Sequence, residues 1–281
     1  MCKKYMLSLA CLVSFVSFNI NAELLNKVYD EVKPEIKVAT YNIAGAANGF
    51  KIDLKETAKT IRSMDVDFIA LQEVDVDTNR SGKINQAKIL ADLTGYNYIY
   101  GKAIDFDNGQ YGMAVLSKYP IKLQEIQKLP SDDYEQRIAM YVSASIDGFE
   151  EPITFIATHL DWHEDPTVRM KQVRAINEKA INIRGIKFLL GDFNDTKNSV
   201  LFNEIMRHWD SPATSDESVD TRTWPANNPE IGIDYIFTSK AQKWDVKEVF
   251  IPNKPNGSYN KNWNEVSDHI PVVLTMDLLE Q

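Results

Sequence analysis

Apolar positions along the chain fall into short runs separated by polar loops, and the runs are of two kinds. Those rich in β-branched and aromatic residues predict strands: Ile36–Ile43, Phe68–Leu71, Tyr96–Tyr100, Met113–Leu116, Ala139–Ile146, Ile153–Ala157, Ile186–Leu190, Ile233–Phe237 and Pro271–Met276. Several are continuous rather than alternating, as in strands covered on both faces. Three stretches repeat at the helical period instead: Leu54–Met64, Gln86–Leu93 and Val168–Ile181, the last with Val173, Ile176 and Ala180 on one face. Strands and helices alternate without an internal repeat, a long linker or a break in composition. The simplest arrangement is one α/β domain of two packed sheets with outer helices.

The first 22 residues stand apart from this pattern. Lys3 and Lys4 precede an apolar run from Tyr5 to Phe18, which ends in Asn19-Ile20-Asn21-Ala22. This predicts a secretory signal peptide over residues 1–22, cut after Ala22, with residues 23–281 as one catalytic domain. The apolar run is shorter than the roughly 20 residues of a membrane span. A lipoprotein signal at Cys11 fits less well, because apolar sequence continues beyond the cysteine and Ser8 stands where an aliphatic residue is wanted. The expected location is therefore secreted or periplasmic, with no membrane anchor after cleavage and a monomeric mature protein.

Composition then limits the chemistry. The chain has 281 residues, 44% hydrophobic and 25% charged, with 40 acidic and 31 basic residues and a formal charge of −9. Cleavage removes two lysines and no acid, leaving 259 residues at −11. It also removes Cys2 and Cys11, the chain's two cysteines, so disulfides and thiol nucleophiles drop out of consideration. An acidic surface argues against a passive nucleic-acid-coating module. It leaves open an enzyme that grips a phosphate locally through a metal ion.

Candidate chemistry lies where the predicted strands end, which in α/β sheets is where ligands bind. Asn42, Glu73, His159 with Asp161, Asp192 with Asn194, Asp234, and Asp268 with His269 each close or follow such a run. Several carboxylates sharing a site repel one another unless a cation neutralises them. Oxygen and amide ligands without thiolate suit a hard ion, Mg²⁺ or alternatively Mn²⁺ or Ca²⁺. Such an ion polarises phosphoryl oxygens, and the histidines supply proton chemistry near neutrality. The reading is a phosphoester hydrolase. Taken singly the pieces have plainer readings: Glu73 a solvated residue, the Gly191–Asp195 segment a turn, and Asp268-His269 a cap. Asp65, Asp67, Asp75 and Asp77 read as a solvated face, and His163 and His208 as histidines without a clear partner.

The ordered set Thr40-Tyr41-Asn42, Leu71-Gln72-Glu73-Val74, Thr158-His159-Leu160, Gly191-Asp192-Phe193-Asn194, Ile233-Asp234-Tyr235-Ile236 and Ser267-Asp268-His269-Ile270-Pro271-Val272 resembles the endonuclease/exonuclease/phosphatase superfamily. That group includes pancreatic-type deoxyribonuclease, abasic-site endonucleases, neutral sphingomyelinases, inositol-polyphosphate 5-phosphatases and deadenylases. The resemblance runs from about Ile36 to Met276 and implies a four-layer α-β-β-α sandwich. It implies Glu73 as main metal ligand with Asn42 beside it, and Asp268 completing the metal side. Asp192 would orient or deprotonate the attacking water, Asn194 would hold the phosphate, and His159 would donate to a non-bridging oxygen. His269, steered by Asp234, would act as general base or as a phosphate-polarising acid. Which of Asp192 and His269 takes the proton stays open.

Two further positions are candidates for substrate contact. Arg137 is placed either to reach the phosphate or to pair with Glu135, and Tyr111 either to sit at the rim or in the core. Among substrates, a nuclease-type phosphodiester leads, with a phosphatase or sphingomyelinase-like phospholipase as the alternative. The chain lacks the Trp-Cys-Asp-Arg stretch of the 5-phosphatases, having Gly232-Ile233-Asp234-Tyr235 there. The loop from Pro252 to Glu265, with Tyr259 and Trp263, is the one segment comparable to a membrane-entering hairpin, and its lysines and asparagines equally suit a nucleotide. Two other classes compete: a zinc hydrolase built on His159, Asp161 and His163, and a non-catalytic binding module that keeps the fold. The first leaves Glu73, Asp192, Asn194 and Asp268 without a role, and the second leaves every expected catalytic position filled to no purpose.

Overall fold

The apolar runs pair into two six-stranded sheets. The computed structural model describes residues 33–48, 51–253, 263 and 266–280, so the expected signal segment 1–22 and most of the loop 252–265, including Tyr259, lie outside the described residues. The strands that build the sheets are β1 (Glu35–Asn42), β2 (Phe68–Val76), β3 (Asn97–Phe106), β4 (Gly109–Ser117), β5 (Ile121–Lys128) and β6 (Ile138–Ala144). They continue with β7 (Ile153–His159), β8 (Lys187–Asp192), β9 (Trp209–Asp210), β10 (Asp234–Ser239), β11 (Lys243–Phe250) and β12 (Val272–Glu280). The helices are α1 (Leu54–Met64), α2 (Gln86–Thr94), α3 (Thr167–Ala180), α4 (Val200–Ile205) and α5 (Pro212–Ser215).

One sheet runs β11-β12-β1-β2-β4-β3 and the other β9-β10-β8-β7-β6-β5. The two orders correspond strand for strand. Each centres on a parallel pair, β1 with β2 or β8 with β7, flanked by antiparallel strands. A parallel pair needs a long crossover, and α1 and α3 are the helices that lie in those two connections. The sandwich therefore has two similar halves, and their parallel strands finish at one end.

Three apolar layers separate four structural ones. Ile36, Val38, Phe68 and Ala70 of the first sheet meet Phe155, Phe188 and Leu190 of the second, with Phe68 stacked on Phe155 at 3.6 Å. On the outer face of the first sheet, Ala39, Ile69 and Leu71 pack against Ala58 and Ile61 of α1 and Leu90 of α2. On the other side, Ile156, Leu189 and Phe237 pack against Val173 and Ile176 of α3 and Leu201 of α4. Each large apolar side chain removed from water in this way contributes about 1.5–3 kcal/mol. The arrangement is the expected four-layer α-β-β-α sandwich.

The two long strands missed by the sequence pattern are those with least to bury, and the two-residue β9 is too short to leave a pattern. β5 and β11 lie at sheet edges, and most of their residues are exposed or half-buried. Their sequences read as mixed polar segments for that reason. β3 is longer than its apolar run because it forms a tight hairpin with β4, whose turn residues Asp107 and Asn108 both take positive φ.

Gly191 shows how closely the two central strands of the second sheet approach beside His159 and Asp192. A Cβ there would lie 1.9 Å from the carbonyl oxygen of Thr158 on β7. Gly191→Ala therefore forces β7 and β8 apart next to His159 and Asp192. The expected cost is about 1–3 kcal/mol, seen as a fall in Tm of several degrees. An unchanged Tm by calorimetry contradicts this packing.

Candidate active site

Alternation along the strands decides which way the candidate residues face. In β1, Ile36 and Val38 point between the sheets, so Asn42, at the same parity, points there too. Phe188 and Leu190 set the same direction for Asp192, Ile153, Phe155 and Ala157 for His159, and Ile236 for Asp234. Register makes neighbours of them: Asp192 is flanked by His159 on β7 and by Asp234 on β10. Glu73 would be out of phase, but a bulge corrects it. Three steps along β2, from Leu71 to Val74, oppose two along β4, from Ala114 to Gly112. Glu73 takes a φ of 58° at this bulge and turns inward, while Leu71 and Val74 both stay in the helix-facing core.

The side chains close into one hydrogen-bonded cluster. The Asn42 amide nitrogen donates to Glu73 Oε1 and to Asp192 Oδ2, each at 3.0 Å. Asn42 Oδ1 accepts from the Ala44 amide, and Asn42 O accepts from Ser267 Oγ, which in turn accepts from the His269 amide. His269 Nδ1 donates to Asp234 Oδ2 at 3.0 Å, and Thr223 Oγ1 donates to the same oxygen at 2.6 Å. His269 Nε2 then stands 3.8 Å from Asp192 Oδ2, and His159 Nε2 stands 3.6 Å from it on another side.

Burial shapes the protonation of this cluster. Desolvation and the neighbouring Asp234 charge raise the Asp192 carboxyl. Desolvation raises Glu73 as well, against the lowering effect of Asn42. Desolvation pulls the His269 imidazolium down, but the Asp234 carboxylate outweighs it and the ring is pushed up to about 10. His159 is held well below the usual imidazole range by burial and by Arg137. Arg137 Nη1 lies 3.1 Å from His159 Nδ1. A guanidinium only donates, so Nδ1 is the acceptor and Nε2 carries the proton, directed at Asp192 and the open end of the site.

The structure brings together Asn42, Glu73, His159, Asp192, Asp234 and His269. Asn194 sits at the edge, its amide donating to Asp192 Oδ1 and its side chain to Leu160 O. Asp268 is exposed at the mouth, with Oδ2 3.5 Å from Trp224 Nε1, and its charge raises Glu73. Arg137 makes the expected pair with Glu135, at 3.3 Å, but it is buried rather than at the surface, and the same guanidinium is committed to His159. Tyr111 is half-buried beside Glu73, whose charge, after desolvation, raises the phenol. His163 does have a partner, the buried Asp161. Asp75 is not solvated either, being fully buried and held by both ends of the Arg80 fork. Thr223 and Ser267, which orient the Asp234–His269 pair, carried no signal in the sequence because loop hydroxyls are everywhere. The His159–Asp161–His163 zinc set does not converge, since Asp161 turns both oxygens to His163 while His159 faces Asp192 and Arg137.

The sequence model of the Endonuclease/Exonuclease/phosphatase family matches residues 39–269, the span that carries this cluster. The chain belongs to that family. It is similar to the uncharacterized protein YbhP of Escherichia coli K12, at 25% identity over 248 residues, covering 84% of this chain and 94% of YbhP. Among solved structures it is similar to an endonuclease/exonuclease/phosphatase from Beutenbergia cavernae (TM-score 0.67, 18% identity, 87% of this chain and 72% of that one). It is also similar to the human Nocturnin catalytic domain with bound sulfate (TM-score 0.64, 20% identity, 87% and 94%). A Bacteroides thetaiotaomicron mannosyl-6-phosphatase is similar too (TM-score 0.62, 19% identity, 87% and 100%). At these identities the likeness to solved structures is one of fold.

Family members are phosphoester hydrolases that typically depend on a divalent metal, and the donor set here fits one. Asp192, Asp234 and His269 place ligand atoms within 4.8 Å of one another. Asp234 Oδ1 is buried without a hydrogen-bond partner. Glu73 and Asp268 are the carboxylates that no histidine engages. Four carboxylates (Glu73, Asp192, Asp234, Asp268) surround the His269 cation while Arg137 is spent on Glu135, and a divalent ion would relieve that surplus of negative charge. All the anionic donors are oxygens, which suits a hard cation.

The raised Glu73 carboxyl gives a sign for stability. Without metal, its contribution is fully present below the ordinary value of 4.5 and is lost as pH rises through the raised value. A divalent ion favours the carboxylate and reverses this. Adding Mg²⁺ at about 100 times its Kd should raise Tm by roughly 5–10 °C near neutral pH, and by less in mildly acidic buffer. Glu73→Gln should raise Tm in EDTA and lose most of the Mg²⁺ gain. Equal Mg²⁺ gains in both proteins by thermal melting contradict the assignment.

Proposed function

We propose that this family member is an exported, Mg²⁺-dependent phosphodiesterase of nuclease type that hydrolyses its substrate by in-line attack of water on phosphorus. The observation that carries the mechanism is the meeting of His159, Asp192 and His269 around Asp192 Oδ2. Asp192, raised by burial and by Asp234, is suited to take the proton of the attacking water. His269 is held protonated by Asp234 and presents Nε2–H to the charge that grows on a phosphoryl oxygen. His159 is neutral, with its Nε2 proton fixed by Arg137, and donates to a second oxygen. Glu73 and Asp268, with Asn42 beside them, would hold the metal. When bound, the ion supplies Lewis-acid stabilisation of the developing negative charge.

Charge supports a diester. Arg137 is committed to Glu135 and His159, so His269 is the cation that these residues present to the phosphate. One such cation beside a metal held by carboxylates suits the single negative charge of a phosphodiester better than the roughly −1.5 to −2 of a monoester. The basic start and short apolar run of residues 1–22 support export, to the periplasm or out of the cell.

The test is hydrolysis by the mature protein of plasmid DNA, a single-stranded oligonucleotide, sphingomyelin and a phosphomonoester, each with Mg²⁺ and with EDTA. Mg²⁺-dependent cleavage of nucleic acid, reduced about 10²–10⁴-fold in His269→Ala, is expected. Intact nucleic acid with turnover of sphingomyelin or the monoester moves the enzyme to that branch. The pH profile is a second test. Rate should rise as Asp192 ionises and fall as His269 loses its proton near 10. Asp234→Asn removes the charge that raises His269, so the alkaline limb should move to lower pH. An unmoved limb overturns the role given to His269.

A further inference from the structure

Exposed aromatic side chains gather around the catalytic end. Phe106 tilts against Tyr111, which neighbours Glu73, and Trp224 reaches Asp268. Tyr134 and Trp162 share a third position, on opposite faces of the His163 imidazole. Tyr134 stacks on it at 3.8 Å and 12°, and Trp162 at 4.4 Å and 19°. Rings so nearly parallel to one imidazole at these distances fit only one on each side. The pile is built on a buried anchor: Asp161 Oδ1 holds His163 Nδ1 at 2.8 Å, Asp161 Oδ2 holds the His163 amide at 3.1 Å, and Arg169 donates to the carbonyl oxygens of both residues.

A pile of this kind has two readings. As a pin between loops it would bury its outer ring. Trp162 is instead 62% exposed, the most exposed aromatic among the described residues. It stands three residues after His159, and Tyr134 stands three before Arg137, so each lies within about 11 Å of a site residue along the chain. An indole whose orientation is already fixed loses little entropy on meeting a flat partner. Of the surrounding loop acids, Asp132 and Glu135 are paired with Lys171 and Arg137, and Asp133, Glu164 and Asp165 leave the loops net negative. They repel an anionic membrane surface and a long run of phosphates alike. A single flat, uncharged group next to the scissile phosphate meets no such barrier.

We propose that Trp162, backed by His163 and Tyr134, is a stacking platform for an unpaired nucleobase adjoining the phosphodiester that is cleaved. The proposal rests on the phosphodiesterase reading above and names its substrate class: single-stranded or short nucleotide diesters. Asp161 is a positioning residue for the platform. Base stacking on an aromatic side chain is sequence-tolerant and is lost with the ring.

The experiment compares a dinucleotide phosphodiester with its abasic counterpart, in Mg²⁺, for the wild type, Trp162→Ala and Trp162→Phe. Trp162→Ala should lower kcat/KM on the base-bearing diester about 5- to 150-fold, chiefly through KM. Its loss on the abasic diester should be several-fold smaller, and Trp162→Phe should recover most of the difference. Equal losses on both diesters, or none on either, overturn the platform. A hydrolysis-free arm measures quenching of tryptophan fluorescence by AMP, ribose 5-phosphate and mannose 6-phosphate. Quenching by AMP alone, absent in Trp162→Ala, supports the platform even if no diester is turned over, in which case the phosphodiesterase reading is what fails. Equal quenching by the sugar phosphates shows a sugar-reading surface and overturns the nucleobase. Trp162→Ala should keep the wild-type Tm, since the side chain is exposed.

Discussion

Two carboxylates from different sheets, Glu73 and Asp192, share the amide nitrogen of Asn42, itself fully buried. A neutral amide with two protons is suited to this place. It gives one hydrogen bond to each acid and adds no charge to a cluster already rich in it. The amide oxygen is committed to Ala44, and the backbone carbonyl of Asn42 receives Ser267, which also fixes the His269 amide. An aspartate here would present a third carboxylate to the other two, and an apolar residue would leave both acids short of a donor. The seam between the sheets therefore runs through one side chain, and the placement of His269 depends on the same residue.

Around that seam the fold sets electrostatics by geometry more than by residue type. His159 and His269 are the same amino acid at nearly the same burial, yet they are driven in opposite directions. His269 has a carboxylate on Nδ1, and His159 has a guanidinium there. One ring becomes a fixed cation and the other a neutral donor of known tautomer. Both face Asp192, whose own carboxyl is raised by burial and by the like charge opposite it on β10. Burial works against the charged forms of Glu73 and Asp192, which is the usual condition of a site organised for function rather than for stability.

The correspondence between the two sheets explains why the site lies where it does. Each sheet supplies one parallel pair, and the pairs end at the same edge of the sandwich, so four C-terminal strand ends converge there. Antiparallel neighbours then add Asp234 and the His269 loop from strand starts. Between these ends the inter-sheet core is packed with large apolar side chains, Phe68 and Phe155 among them. Polar groups on the same inward parity reach water only at the edge, and that is where the chemistry sits.

Much of this was determined by the sequence itself. The buried central strands, the three main helices and the two-sheet class were legible because residues covered on both faces must be apolar, and helical faces repeat at a fixed period. So were the residues that close those strands, because polar side chains directly after buried runs mark strand ends. Tertiary structure decided the rest, wherever a residue's meaning depends on a partner outside its own element. The edge strands β5 and β11 bury too little to leave a pattern. The bulge that turns Glu73 inward depends on pairing with β4. Asp75 reads as a surface acid until Arg80 folds onto it, and Arg137 as a phosphate reader or a surface cation until it meets His159. His163 becomes the centre of an aromatic pile only because Tyr134, 29 positions earlier, stacks on it. Local sequence records what each residue must bury; which group it faces is a property of register and packing across elements, and no local pattern encodes it.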